Sequence, residues 1–199
     1  MVNCLPFDYT QGINNPLNAS RLTLPLQNMK KAILLILSLI IVGAIIYNLY
    51  PEKELPLHTE IDYILVKKSD RQLLAYSKQK LVKTYEISLG DNPVGHKEYE
   101  GDEKTPEGIY TINAKNPNSG YHKNLGISYP NAKDMAKAKL LGKNPGGDIK
   151  IHGLRNRLGF IGKFQRFLDW TNGCMALTDS EVDELYDSVK IGTKIEIRS

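Results

Sequence analysis

Cys174 lies in the glycine turn Asp169-Trp-Thr-Asn-Gly-Cys-Met-Ala-Leu177, and upstream of it His152 ends the strand-like run Ile149-Lys-Ile-His-Gly153. A thiol is a weak nucleophile until it loses its proton, and imidazole is the side chain suited to take that proton near neutral pH. With Cys174 as nucleophile and His152 as general base, later general acid, such a pair carries out acyl transfer through a thioester. A buried structural cysteine and a satisfied core histidine are the competing readings, because two separated residues are only a candidate pair. Gly173 adds weight, since glycine takes turn conformations that other residues resist and leaves backbone N–H groups bare. The N–H groups of Gly173 and Cys174 would form an oxyanion hole for a tetrahedral intermediate. Thr171 and Asn172 either add a hydroxyl and an amide to that hole or brace the turn.

These residues resemble the signature of the L,D-transpeptidase catalytic domain, the YkuD family: His-Gly, a spacer, then Ser/Thr-x-Gly-Cys and an apolar residue. Gly90-Asp-Asn-Pro-Val-Gly-His-Lys97 and Glu100-Gly-Asp-Glu-Lys-Thr-Pro-Glu-Gly-Ile-Tyr110 resemble it as well. Tyr121-His122, Ile127-Ser-Tyr-Pro-Asn131 and Gly146-Gly-Asp-Ile-Lys-Ile-His-Gly153 are similar to one branch, the murein transpeptidases related to YafK. The resemblance covers residues 60–198 and implies a mainly β fold, a sandwich or barrel with a few short helices. It also implies the substrate, peptidoglycan stem peptides. Cys174 would attack the carbonyl of the third residue, form a thioester, and pass the acyl group to an amine of another stem. Water in place of the amine would make a carboxypeptidase or amidase, or an enzyme releasing wall-linked protein. An anchored wall-binding module without catalysis is the non-enzymatic alternative. By the same resemblance the Gly153 carbonyl orients His152, and His96, Lys97, His122 and Trp170 join the substrate-binding candidates. Many members carry histidine before Gly-Cys and arginine two residues after the cysteine, where this chain has Asn172 and Ala176.

Between the two motifs, residues 154–168 carry Arg155, Arg157, Lys163 and Arg166 and no acid. Stem peptides bear free carboxylates, which arginine grips bidentately, so Arg155 and Arg157 are further substrate-binding candidates. Phe160, Ile161, Phe164, Phe167 and Leu168 suit a short amphipathic helix acting as a lid. A packed core with solvated basic residues, or contact with anionic lipid, are the other readings of this stretch.

Residues 61–66, 72–76 and 81–89 form strands separated by polar turns, the pattern of an antiparallel sheet. A long loop over 91–108 feeds a strand at 109–112. Asn131 caps a helix over 132–141 whose Met135, Ala136 and Leu140 are expected to face the core. Thr178 and Glu181 form a capping box, and Val182, Leu185, Tyr186 and Val189 recur at helical spacing. A turn over 189–193 and a closing strand over 194–197 end the chain.

The 199 residues are 41% hydrophobic and 24% charged with a net charge of +4, a composition able to bury one ordinary domain plus an appendage. There is no block of basic residues and no nucleic-acid motif. His58, His96, His122 and His152 are scattered, and no Cys-x-x-Cys occurs, so neither a metal nor a cofactor is expected. Residues 1–28 are polar and aperiodic, and disorder is expected there. Residues 29–50 read as a membrane anchor: Met29-Lys-Lys31 precedes an uncharged run over 32–47, and Glu52 and Glu54 follow. A cleaved signal peptide is the competitor, and Met29 is an alternative start. Cys4 and Cys174 would then face opposite sides of the membrane. Residues 51–59 read as a linker and 60–199 as the catalytic domain. Oligomeric state is not legible.

Overall fold

The structure, a computed structural model, describes residues 26–199. Cys4 and most of the segment expected to be disordered lie outside the described residues. Helix α1 spans Leu26–Leu49, so it begins three residues before Met29. Its most apolar window has a mean hydropathy of 2.7 and none of it is buried, so it is long and apolar enough to cross a membrane; a signal sequence has the same character. The described residues up to Gly43 make one unit, and Ala44–Ser199 make a second.

The second unit is built on one sheet of eight strands: β1 (Ile61–Lys67), β2 (Gln72–Ser77), β3 (Lys80–Glu86), β4 (Gly108–Ser119), β5 (His122–Ile127), β6 (Lys150–His152), β7 (Met175–Ala176) and β8 (Val189–Arg198). Their spatial order is β3-β2-β1-β8-β4-β5-β6-β7. The first three strands are the expected antiparallel meander, and Lys78 and Gln79 both take positive φ between β2 and β3. That is the backbone a two-residue hairpin needs to match strand twist. The sheet as a whole is mixed, because β1 runs parallel to β8 and β6 parallel to β7. The expected turn over 189–193 is absent. β8 is continuous, and the extra residues form a bulge between the pairs Ile61–Val189 and Tyr63–Lys194, with Gly192 at φ 94°.

Ile64, Leu73, Ile112, Leu125, Ile151 and Ile195 from six strands are fully buried together. Each such side chain contributes roughly 2 kcal/mol by leaving water. Helix α3 (Asp179–Ser188) closes this core with Val182 and Leu185, and its capping box between Thr178 and Glu181 is formed. Helix α2 (Ala132–Leu140) is capped by Asn131, but its packing differs from expectation. Met135, Ala136 and Leu140 are exposed, while Asp134 and Ala138 are buried. The helix docks through a polar contact: Asp134 accepts from the Tyr110 hydroxyl at 3.0 Å and pairs with His96 at 3.2 Å. Periodicity of apolar residues cannot reveal a helix held by a carboxylate.

The stretch expected to be a free linker is tied to the domain. Leu55 joins the core and its N–H donates to Glu184 at 2.6 Å. Glu52 sits between Lys163 at 2.9 Å and Arg166 at 3.0 Å.

Candidate active site

The register of two short parallel strands sets the site. Ile151 pairs with Met175 and His152 with Ala176, which puts Cys174, the residue before β7, beside β6. β7 is only two residues long but is held on both sides. Leu177 N–H donates to His152 O at 2.9 Å, and Ala176 exchanges hydrogen bonds with Ser88 at 2.8 and 3.0 Å. The turn before Cys174 is braced by Thr171, whose Oγ1 donates to Cys174 O at 2.8 Å and accepts from Gly173 N–H at 3.2 Å. Gly173 has φ +119°, and a Cβ there would lie 2.5 Å from Lys104 O. A Cβ on Gly90 would lie 2.0 Å from Glu103 O. Both glycines are therefore required by close backbone crossings, through which the 91–108 loop rests directly on the Gly-Cys turn.

Cys174 and His152 line one cleft of about 520 Å³, with Tyr121, Trp170, Thr171 and Asn172 on its walls. His152 Nδ1 lies 2.7 Å from the carbonyl oxygen of Gly153. A carbonyl only accepts, so Nδ1 carries the proton and Nε2 is left as the basic nitrogen. The ring is enclosed by Tyr121, with centroids 4.9 Å apart, and by the edge of Trp170 at 5.7 Å. Burial pushes the His152 pKa down, against the opposing effect of the Gly153 hydrogen bond. Cys174 is half-buried, so its sulfur stays reachable, yet the protein packed around it pushes the thiol up, with Lys150 pulling the other way. Sγ lies 3.8 Å from Asp148 O. Both shifts favour the uncharged forms, a thiol at Cys174 and a neutral imidazole at His152.

The other expected site residues divide. Asn172 and Trp170 line the cleft. Thr171 is engaged as the turn brace, and its hydroxyl occupies the Gly173 N–H, which leaves Cys174 N–H as the donor without a partner among the described residues. Lys97 is buried in an ion pair with Asp102 at 2.8 Å and lines an adjoining hollow that shares Asn172 with the cleft. His96 is a brace: its Nδ1 accepts from Glu107 N–H at 3.0 Å and its Nε2 meets Asp134. His122 faces α3, 2.8 Å from Asp183. Arg155 and Arg157 are exposed and do not line the cleft; Arg155 borders a separate apolar hollow.

Residues 154–168 also fold differently from the expected amphipathic helix. They hold a 3-10 stretch, Gly159–Phe167, broken at Gly162. Lys163 and Gln165 point inward, while Phe160, Phe167 and Leu168 are exposed. Arg166 is buried against Glu181 at 2.7 Å, not offered to a ligand. Buried Gln165 accepts from Trp170 Nε1 at 3.0 Å and from Ser88 Oγ at 2.7 Å, so it fixes the indole that packs on His152. Sequence reasoning missed Gln165, Tyr121 and Lys150. Tyr121 and Lys150 stood inside motif stretches, whereas Gln165 carried no signal.

Comparison with known proteins identifies the family. The family model described as the L,D-transpeptidase catalytic domain, YkuD, matches residues 61–197. YafK of Escherichia coli strain K12, assigned by name to the L,D-transpeptidases, is 31% identical over 134 residues, which are 64% of this chain and 46% of YafK. YqjB of Bacillus subtilis strain 168, similarly named, is 27% identical over 154 residues, covering 75% of this chain and 77% of YqjB. The crystal structure of Pgp2 from Campylobacter jejuni, a helical cell shape determining protein, superposes with a TM-score of 0.51 at 27% identity, covering 73% of this chain and 50% of Pgp2. The chain thus spans about half the length of YafK and of Pgp2. Because the matched residues run from the first strand of the sheet to the last and include both the thiol and the imidazole, the chain belongs to the L,D-transpeptidase catalytic-domain family, YkuD.

Proposed function

We propose that this protein is a peptidoglycan L,D-transpeptidase in which Cys174 is the nucleophile and His152 the base. The observation that carries the reading is the shared cleft, in which a reachable thiol stands with an imidazole whose Nδ1 is tied to Gly153, so that Nε2 is the acceptor. Sulfur attacks the carbonyl of the third stem residue while its proton passes to Nε2. The C–S bond forms and the carbonyl oxygen takes the negative charge beside the Cys174 N–H. The C–N bond then breaks, the imidazolium protonates the departing amine, and a thioester remains. An incoming amine reverses these steps, giving its proton to His152, which returns it to sulfur. Lys150, on the cleft wall, pairs with Asp148 at 2.7 Å, so a stem carboxylate would reach its ammonium only by displacing that carboxylate.

The anchor reading goes with it. α1 is a single-pass anchor with the catalytic unit on the outer side, in the periplasm or cell wall, supported by Lys30 and Lys31 before the apolar run and by the acids after it. Likeness to Pgp2 adds a role in cell shape to the reading.

The test is incubation of the full chain with isolated sacculi, followed by mass analysis of the muropeptides. Crosslinks joining two third-position residues, lost in Cys174→Ala, are expected. Shortened stems without crosslinks would instead identify a hydrolase. Wall binding that survives in Cys174→Ala, with no product from the native chain, would identify a binding module.

A further inference from the structure

The 3-10 stretch Gly159–Phe167 is inside out for a soluble surface. Its buried side chains are Lys163 and Gln165, while Phe160 is 76% exposed, Phe167 67% and the following Leu168 73%. Single exposed apolar residues are ordinary, but a cluster of large ones marks a surface made for contact. We propose that this face rests in the interfacial layer of an anionic phospholipid bilayer. The inference depends on α1 being an anchor and goes beyond it, since an anchored domain on a loose tether would not touch lipid.

What identifies the occupant is how the cluster joins the end of α1. Tyr47, in the last turn of that helix, stacks on Phe167 with centroids 5.8 Å apart and lies 6.1 Å from Phe164. Asn48 Nδ2 donates to Phe160 O at 3.1 Å, and Asn48 Oδ1 accepts from Lys163 N–H at 2.8 Å. Lys163 Nζ donates to Tyr50 O at 2.6 Å and pairs with Glu52. The 3-10 stretch therefore shares the depth of the helix end, and whatever surrounds Tyr47 surrounds Phe167. Tyrosines at the end of an apolar helix belong at the level of lipid headgroups. Charge agrees: Lys163 and Arg166 are engaged internally, but exposed Arg155 and Arg157 have no carboxylate partner among the described residues, and Arg155 borders the same apolar hollow as Phe164 and Leu168. A guanidinium at Arg155 beside that hollow, with exposed Arg157 two residues on, suits phosphate headgroups above acyl chains.

The test is fluorescence quenching in vesicles of phosphatidylglycerol and phosphatidylethanolamine, with or without lipids brominated at shallow acyl positions. The full chain carries Phe167→Trp, or Ile41→Trp inside α1 as the anchor control. Quenching of native Trp170 is measured on the parent chain and subtracted. Loss of at least half the signal of the residue-167 probe in brominated vesicles is expected, with weaker quenching in uncharged vesicles or in Arg155→Glu/Arg157→Glu. If the residue-41 probe is quenched and the residue-167 probe is not, the lipid contact is overturned and the anchor stands. If neither is quenched, both fall. If the residue-167 probe is shielded only as the protein-to-lipid ratio rises, a second copy covers the face and the proposal is wrong.

Discussion

Thr171→Val tests the construction of the turn that carries Cys174. Valine keeps nearly the shape of threonine but lacks the hydroxyl, which is why this exchange is not conservative in a buried place. Two hydrogen bonds disappear, Gly173 N–H to Oγ1 at 3.2 Å and Oγ1 to Cys174 O at 2.8 Å. Each is worth about 1 kcal/mol net, and leaving the buried Gly173 N–H without a partner adds to that, for a loss of about 2–3 kcal/mol. In a unit of this size each kcal/mol lowers the melting temperature by about 2–4 °C, so a fall of roughly 4–12 °C is expected. The measurement is thermal unfolding of the full chain in detergent, followed by near-ultraviolet circular dichroism, which reports the packed aromatic residues of the second unit. Acyl-enzyme formation should fall at least tenfold, because the carbonyl of Cys174 is no longer held and the sulfur loses its register with His152. Thr171→Ser keeps the hydroxyl and should restore most of both. A melting temperature within 1 °C of the native chain, with undiminished acylation, would refute the brace.

Further outcomes are expected. Burial pushes the Cys174 thiol up and the His152 imidazole down, so alkylation of Cys174 by iodoacetamide should climb steadily with pH through neutrality; a plateau between pH 5 and 8 would reveal a preformed thiolate–imidazolium pair instead. His152→Gln should slow acylation by about 10²–10⁴-fold while leaving high-pH alkylation largely intact, as read by intact mass. The same burial links stability to pH: the unfolded chain takes up the histidine proton near its ordinary value of 6.5, before the folded chain does. Stability is therefore full above that value and lost as the pH falls from it towards the lower folded value, by at most about 1.4 kcal/mol per pH unit, and urea midpoints of His152→Gln should lack that slope. Gln165→Leu removes the acceptor of Trp170 Nε1 and one of two acceptors near Ser88 Oγ, so it should shift the Trp170 emission and lower kcat more than it raises KM. Arg166→Leu strands Glu181 in the interior and should cost about 3–5 kcal/mol in urea unfolding.

Much of the sheet was open to direct reading because its strands obey local rules. Polar turns separate β1, β2 and β3, and the N-cap Asn131 and the capping box at Thr178 mark where α2 and α3 begin. Local rules failed where a contact came from far along the chain. Met135 and Leu140 looked like core residues, yet α2 is held by Asp134 against Tyr110 and His96. Leu55 sat in a polar stretch that reads as a tether, yet it is part of the core. Arg155 and Arg157 had the chemistry to grip a carboxylate but not the position, because the chain turns away from the cleft after Gly153.

The order of residues was enough to nominate Cys174 and His152 as a candidate pair, since thiol and imidazole carry their chemistry in their types, while the Gly153 carbonyl came from the family resemblance. It was enough, too, to find an apolar segment of membrane-crossing length. What no local pattern could supply is the pairing of β6 with β7, which sets the thiol beside the strand that ends in the imidazole. Nor could it supply the exchange of roles in the 3-10 stretch, where Gln165 turns inward to hold Trp170 and Phe160 turns out. Register and burial are decided by contacts between residues distant in the chain, and those contacts exist only once the sheet has closed.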